Sequence, residues 1–328
     1  MHTSEMRVVV PALILAALLA VASPLATAQA YPNRAIHIIA PFPAGGGYDF
    51  LSRLVGSEMT KTFGQPVIVE NKAGANGNIG TDAAAKSAPD GYTLLMGGNS
   101  PLSLNVGLYP KLPYDPVRDF EPIARVATQP NLFAANPKVP VKSVAELVQY
   151  AKANPGKLTY ASNGNGSPQH LAAEQLKRMA GIDMVHVPYK GAGPGMAALL
   201  AAEVDAMFAA IPAALPHLKS DRLRALAVGG GQRSPLLSGI PTITESGFQF
   251  DATSWYGVLA PLNTPPAIVA QLHATLARTL NAQAMRAQLT EIAFEINAST
   301  PEAFARHLRA EIATWSKVIA ASGLGSSK

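Results

Sequence analysis

The sequence predicts an α/β protein folded as two lobes joined by two extended crossovers. Three observations lead there. Short apolar runs alternate with helical patterns along most of the chain, the rhythm of βαβ units and parallel sheets. The series breaks at a proline-rich stretch, residues 108–122, and a second α/β series begins near Ala124. The last two helical patterns have no strands of their own to cover, which sends them back to the first lobe.

In order, residues 36–40 read as a strand, 41–48 as a loop and 49–60 as a helix. Strands at 67–70 and 93–96 flank a helix at 78–86. The prolines at 110, 113, 116 and 122 make 108–122 a surface excursion. In the second series Ser143 and Glu146 form a capping box that opens a helix reaching about Asn154. Residues 159–162, 184–187, 206–209 and 223–228 read as strands, the first three followed by helices. A strand at 255–260 precedes helices at 266–281 and 301–321, each with Pro at a helix start. The crossovers fall near 124–136 and 248–260. This divides the chain into residues 1–30, one lobe of 31–125 plus 250–328, and a second lobe of 126–249, with a cleft between the lobes.

Composition narrows the function. With 328 residues, 48% hydrophobic and 14% charged, the chain is neither disordered, collagenous nor a polytopic membrane protein. The 27 Gly and 27 Pro are scattered, and no repeat or low-complexity segment appears. Zero Cys removes disulfides, thiolate metal sites and Cys nucleophiles. The net charge of +5 is spread thinly, with no basic stripe for nucleic acid, and suits a mild pull on small anions.

Arg7, the apolar run 8–22 and the small residues Ala26 to Ala30 have the layout of a secretory signal cleaved after Ala30. The run is shorter than the roughly 20 residues needed to span a bilayer. Outside the cytosol ATP and nicotinamide cofactors are scarce, which disfavours kinases and dehydrogenases.

Two loops carry the chemistry. The first, at a strand end, runs through Phe42, Pro43, Ala44, Gly45, Gly46, Gly47, Tyr48 and Asp49. Three successive glycines let the backbone approach a ligand and aim N–H groups at it, with the helix dipole behind them. This suits a carboxylate or phosphate; the plainer reading is a turn with Asp49 as N-cap. The second is Ser162, Asn163, Gly164, Asn165, Gly166, Ser167, Pro168, Gln169 and His170, with Ser167 as N-cap. One such anion nest in each lobe would close on a ligand from both sides, using peptide dipoles instead of a buried Arg. Around them, Asn99 lines the same mouth, Tyr189 and Lys190 sit at the next strand end, and Ala213 supplies apolar wall. Lys190 reads either as a contact to a distal carboxylate or as a solvated loop lysine. Trp255 and Tyr256 either face the cleft or pack in the hinge.

An enzyme reading needs a constellation the sequence does not assemble. There is no Gly-x-Ser-x-Gly elbow and no His-Glu-x-x-His spacing. His170 and Glu174 are too few for a metal site. Asp49, His170 and Ser167 would have to meet across the cleft. We therefore expect no enzyme, no metal and no cofactor, the rival being a secreted ester hydrolase using Ser167 or Ser100.

The segments PFPAGGGYD, VENKAGANGNIG, PDGYTLL, YDPVRDFEPIARV, SNGNGSPQHLAAE, VPYKGAGP and SWYGVLAP, in this order, resemble the tripartite tricarboxylate transporter receptors, the Bug family of extracytoplasmic solute-binding proteins. The resemblance covers essentially all of the chain after residue 30. It implies the type II, or Venus flytrap, periplasmic binding fold, acting as a monomer that captures a small organic anion for an integral membrane permease of two subunits. It also implies that residues 43–49 and 162–169 hold the ligand carboxylate, partly through ordered water. Where the family often has Thr or Ser before the aspartate, this chain has Tyr48, which points to an aromatic or less hydrated ligand such as a terephthalate-like dicarboxylate. A sensor presenting its ligand to a signalling ectodomain is the alternative use of the same architecture.

Overall fold

Strand β1 (Ile36–Ala40) is buried along most of its length and sets the centre of a parallel layer with β2 (Val67–Asn71) and β3 (Thr93–Gly98). The computed structural model describes residues 31–325. Residues 1–30, which the sequence leads us to expect as a secretory signal, lie outside the described residues. Of the first compact unit, 1–33, only the last three residues are described; the second, 34–328, holds all the described strands and helices.

Between these strands run α1 (Gly47–Phe63) and α2 (Asn78–Ala85). After β3 a single π turn, Ser100–Leu104, leads into the short α3 (Asn105–Leu108). The proline-rich excursion is narrower than the sequence suggests, because β4 (Phe120–Ala135) already begins at Phe120. Its middle is anchored: Tyr114 is 5% exposed and its hydroxyl bonds Asn78 Oδ1 at 2.7 Å and the Pro101 carbonyl at 2.6 Å.

The second series runs α4 (Val144–Ala153), β5 (Thr159–Ser162), α5 (Pro168–Ala180), β6 (Val185–Pro188), α6 (Ala192–Ala201), β7 (Ala206–Ala210), α7 (Ile211–Lys219) and β8 (Arg224–Val228). The capping box forms as expected. Ser143 Oγ accepts from the Glu146 amide at 3.1 Å, and Glu146 reaches back to the Lys142 amide at 2.7 Å. Then come β9 (Thr253–Pro261), α8 (Pro266–Asn281), α9 (Gln283–Glu291), the two-residue β10 (Glu295–Ile296) and α10 (Pro301–Ala321). The π turn, α9 and β10 have no counterpart in the sequence reading.

The strands form one sheet in the order β2-β1-β3-β9-β4-β7-β5-β6, with β8 and β10 also on β4. The 16-residue β4 is the spine. Residues 120–130 pair antiparallel with β9, and 131–135 pair antiparallel with β7, while 132–135 also pair with β8. On the far side β5 is parallel to both β6 and β7. β4 and β9 are thus the two crossovers. Two apolar clusters sit on opposite faces of the second series, one around Phe133, Tyr160 and Phe208 and one around Met196, Leu199 and Ile211. A third, around Leu95, Trp255, Leu259 and Phe304, fills the first series. α8 and α10 pack on β4.

Candidate functional site

The first glycine loop leaves β1 and opens α1. Pro43, Ala44, Gly45 and Gly46 are exposed, and Gly45 has φ +88°, a conformation that only glycine takes without strain. The helix starts at Gly47, two residues earlier than the sequence suggests, with Gly46 as N-cap. Asp49 is therefore not the cap. It sits in the first turn and reaches back: Oδ2 accepts from the Gly45 amide at 3.0 Å, and Oδ1 from Arg53 Nε at 2.9 Å. The Arg53 hydrogen bond holds this carboxyl below the usual aspartate range. Its charge is spent on fixing the loop. No side chain caps the helix, so the amides of Gly47, Tyr48 and Asp49 have no acceptor of helical origin.

The aromatic side chains of this loop pack on their own lobe. Tyr48 stacks on Phe42 with centroids 4.5 Å apart and meets Tyr256 edge-on at 4.9 Å. Its hydroxyl bonds Ser100, and burial pushes its pKa well up. A Cβ on Gly47 would overlap the Tyr256 hydroxyl, which explains the third glycine. Instead of offering a stacking face to a ligand, Tyr48 is a strut between Phe42, Ser100 and Tyr256. Trp255 is 2% exposed and packs edge-on against Phe304 and His307, and Tyr256 is 6% exposed. Asn99 is likewise committed: Oδ1 accepts from the Trp255 amide at 2.7 Å, tying the end of β3 to β9.

The second loop is more internally bonded than a set of open N–H donors would be. Gly164 N–H donates to Ser162 Oγ at 3.1 Å, Ser167 N–H to the Gly164 carbonyl at 3.2 Å, and Gly166 N–H to His170 Nδ1 at 3.0 Å. Ser167 caps α5, accepting from His170 N–H at 3.3 Å. Gln169 is 8% exposed, and its Nε2 donates to Asn131 Oδ1 at 3.2 Å. Asn131 Nδ2 in turn donates to the Ala252 carbonyl at 2.7 Å, which fixes both amide orientations. Gln169 Oε1 and Asn163 Oδ1 are buried acceptors without a partner. Tyr189 closes the loop through its amide to the Ser162 carbonyl at 3.1 Å; Lys190 follows it, exposed, and Ala213 is exposed in the first turn of α7.

Behind this loop, His170 and His186 stack 3.8 Å apart, and Tyr160 stacks on His186 at 4.9 Å. Burial, reinforced by His186, lowers His170 to about 4, so the ring is neutral near pH 7. Ser162 Oγ lies 2.6 Å from His186 Nε2, a spacing reminiscent of a nucleophile and its base. The same oxygen lies 3.1 Å from the Gly164 carbonyl and accepts from the Gly164 amide at 3.1 Å, so it is also part of the loop's own hydrogen bonding. The other rival constellations are also committed elsewhere: Ser167 caps a helix, Ser100 holds Tyr48, and Glu174 accepts from Tyr160 at 2.6 Å and Lys177 at 2.8 Å.

Where the two series meet, Leu171 of α5 packs with Leu104, Trp315, Val318 and Ile319. Beside it lies a cavity of about 420 Å³ lined by Leu108, Tyr109, Asn165, Gly166, His170, Gly323 and Leu324. Leu108, Tyr109 and Leu324 were not singled out from the sequence, since nothing local distinguishes them from other leucines and tyrosines. Among the described residues no helix is long and apolar enough to cross a membrane, and no cluster of metal-binding side chains forms.

Residues 51–324 match the family model of the tripartite tricarboxylate transporter family receptor. The chain is 38% identical to Protein BugT of Bordetella pertussis over 307 residues, covering 92% of this chain and 93% of that one. Among solved structures, an R. palustris protein with adipate is 37% identical with a TM-score of 0.82, over 89% of this chain and 98% of that one. MatC from Rhodopseudomonas palustris with bound malate is 34% identical with a TM-score of 0.78, over 88% and 100% of the two chains. These neighbours carry the two-lobed α/β periplasmic binding fold, and the chain belongs to the tripartite tricarboxylate transporter receptor family.

Proposed function

We propose that this protein is a periplasmic receptor that binds a small organic carboxylate between lobes 31–125 plus 250–328 and 126–249, and presents it to an integral membrane permease. The observation that carries this reading is the exposed 43–46 loop, bonded to Asp49 through the Gly45 amide and backed by uncapped first-turn amides. A carboxylate there gains charge-assisted hydrogen bonds of about 1.5–3 kcal/mol each, and a micromolar site needs only about 8 kcal/mol net. The 162–170 loop supplies the facing half, with Gln169 and Asn163 oxygens suited to ordered water. Closure follows if the ligand contacts both lobes, which shifts the population toward the closed form. Family membership and the adipate and malate complexes of relatives support the ligand class. The apolar 8–22 run supports export through a cleaved signal.

A thermal-shift series of mono-, di- and tricarboxylates tests this. A ligand at about 100 times its Kd stabilises the fold by about 2.7 kcal/mol, a visible rise in Tm. No rise with any carboxylate would overturn the reading. Turnover of chromogenic esters that is lost on Ser167→Ala would instead establish a hydrolase.

A further inference from the structure

The first glycine loop is fastened at two points, and one guanidinium reaches the side chains at both. At its glycine end the Gly45 amide donates to Asp49 Oδ2 at 3.0 Å. At its entry the Phe42 carbonyl accepts from Asn71 Nδ2 at 3.0 Å, a bond from the last residue of β2 to the loop that leaves β1. Arg53 lies four residues beyond Asp49 on α1 and joins the two. Its Nε donates to Asp49 Oδ1 at 2.9 Å, and its Nη2 donates to Asn71 Oδ1 at 3.2 Å. The Asn71 amide is oriented by both neighbours, since a guanidinium only donates and a carbonyl only accepts. The segment VENKAGANGNIG, which carries Asn71, thereby has a direct contact to the loop.

The charges of β2 are engaged with each other, Glu70 pairing with Lys72 at 3.1 Å and with the His37 ring. That leaves the Arg53 guanidinium to Asp49 and Asn71. The Asp49 side chain is 8% exposed and that of Arg53 56%, so the brace is applied from the solvent side and adds little to global stability. Between the two fastenings Pro43 and Ala44 are exposed, and side chains of neighbouring elements, instead of burial, set the loop's shape.

We propose that Arg53 is a positioning residue for ligand capture: by bracing Asp49 and Asn71 together it sets the spacing of the Phe42 carbonyl and the Gly45 amide, and so the direction in which the following amides face the ligand. The inference rests on the carboxylate-receptor reading above. Arg53 acts through two side chains, and its cation is neutralised by Asp49. Lysine would keep the charge beside Asp49 but, as a point donor, would not span to Asn71 as the planar fork does.

The experiment is calorimetric titration of adipate and of malate into the full chain and into Arg53→Met, Arg53→Lys, Asn71→Ala and the double variant Arg53→Met, Asn71→Ala. Arg53→Met is expected to lose about tenfold in affinity through lost preorganisation, with little change in the urea midpoint. Asn71→Ala is expected to weaken binding in the unaltered background but to add about twofold at most once Arg53 is Met, because the two act through one brace. Without the Arg53 hydrogen bond the Asp49 carboxyl rises, so affinity in Arg53→Met is expected to fall off at higher pH than in the unaltered chain. Arg53→Lys is expected to restore that acid limb without restoring full affinity. Hydrogen exchange needs no ligand: the Gly45 amide is expected to exchange faster in Asn71→Ala, although the bond removed there is the one to Phe42. Unchanged affinity in Arg53→Met, full recovery in Arg53→Lys, multiplicative losses in the double variant or an indifferent Gly45 amide would overturn the inference and leave the receptor reading standing. Failure of both acids to bind the unaltered chain, together with no rise in Tm across the carboxylate series, would sink both.

Discussion

Adjacent glycines in the first loop serve different ends. Gly46 has extended φ and ψ of −89° and 176°, and a Cβ there meets only the Pro43 carbonyl at 3.8 Å. Gly46→Val is therefore expected to fold normally, by circular dichroism, while losing carboxylate binding in calorimetry, because the branched side chain crowds the exposed amides. Gly47 is different, since its neighbour is the Tyr256 hydroxyl in a packed lobe. Gly47→Ala is expected to cost about 1–3 kcal/mol in urea unfolding through overpacking. The sequence made the glycine run visible as a loop that lets a ligand approach. It could not separate Gly46 from Gly47, because the distinguishing partner lies more than 200 residues away in the chain.

At the scale of elements, α5 is positioned by its polar first turn. Gln169 hangs on Asn131, and Asn131 joins β4 to the second crossover through Ala252 and Ser254. Asn131→Ala would strand the Gln169 donor in a buried setting and is expected to lower stability by about 1–3 kcal/mol in denaturant. Gln169→Leu also removes an unpaired oxygen, so its cost should be the smaller of the two. Local rules found the Ser167 cap and the capping box at Ser143, because both are written within four residues. They missed the start of α1, since Asp49 looks like a cap in sequence and becomes a reach-back acceptor only once Gly45 turns left-handed.

For the whole molecule, the seam is held by Leu171 among residues of the C-terminal helix and the π turn. Leu171→Ala is expected to destabilise by about 2–5 kcal/mol by leaving a cavity, measured by urea unfolding. A second global property is acid sensitivity. Burial lowers His170 and His307 to about 4 and also lowers His186. The unfolded chain takes up these protons near pH 6.5 while the folded chain resists until about 4, so stability is full above about 6.5 and falls as the pH drops through that window. Glu311 and Asp251, raised by burial, bind protons more readily when folded and offset part of the loss. Tm is expected to fall between pH 7 and 4, and the slope to flatten in a His170→Asn, His307→Asn variant; an unchanged slope would contradict this account.

By itself the sequence determined the α/β alternation, the two strand-end glycine loops, the caps and the crossover strands, because these follow from periodicity and from contacts within a few residues. The tertiary structure alone decided that Tyr48 and Trp255 pack inward, that Ser162 meets His186 across two strands, and that His170 borders a cavity with Leu108 and Leu324. Each depends on which residues the long β4 and the returning α10 bring together, and a side chain's free hydrogen-bonding atoms are known only after its distant neighbours have taken theirs.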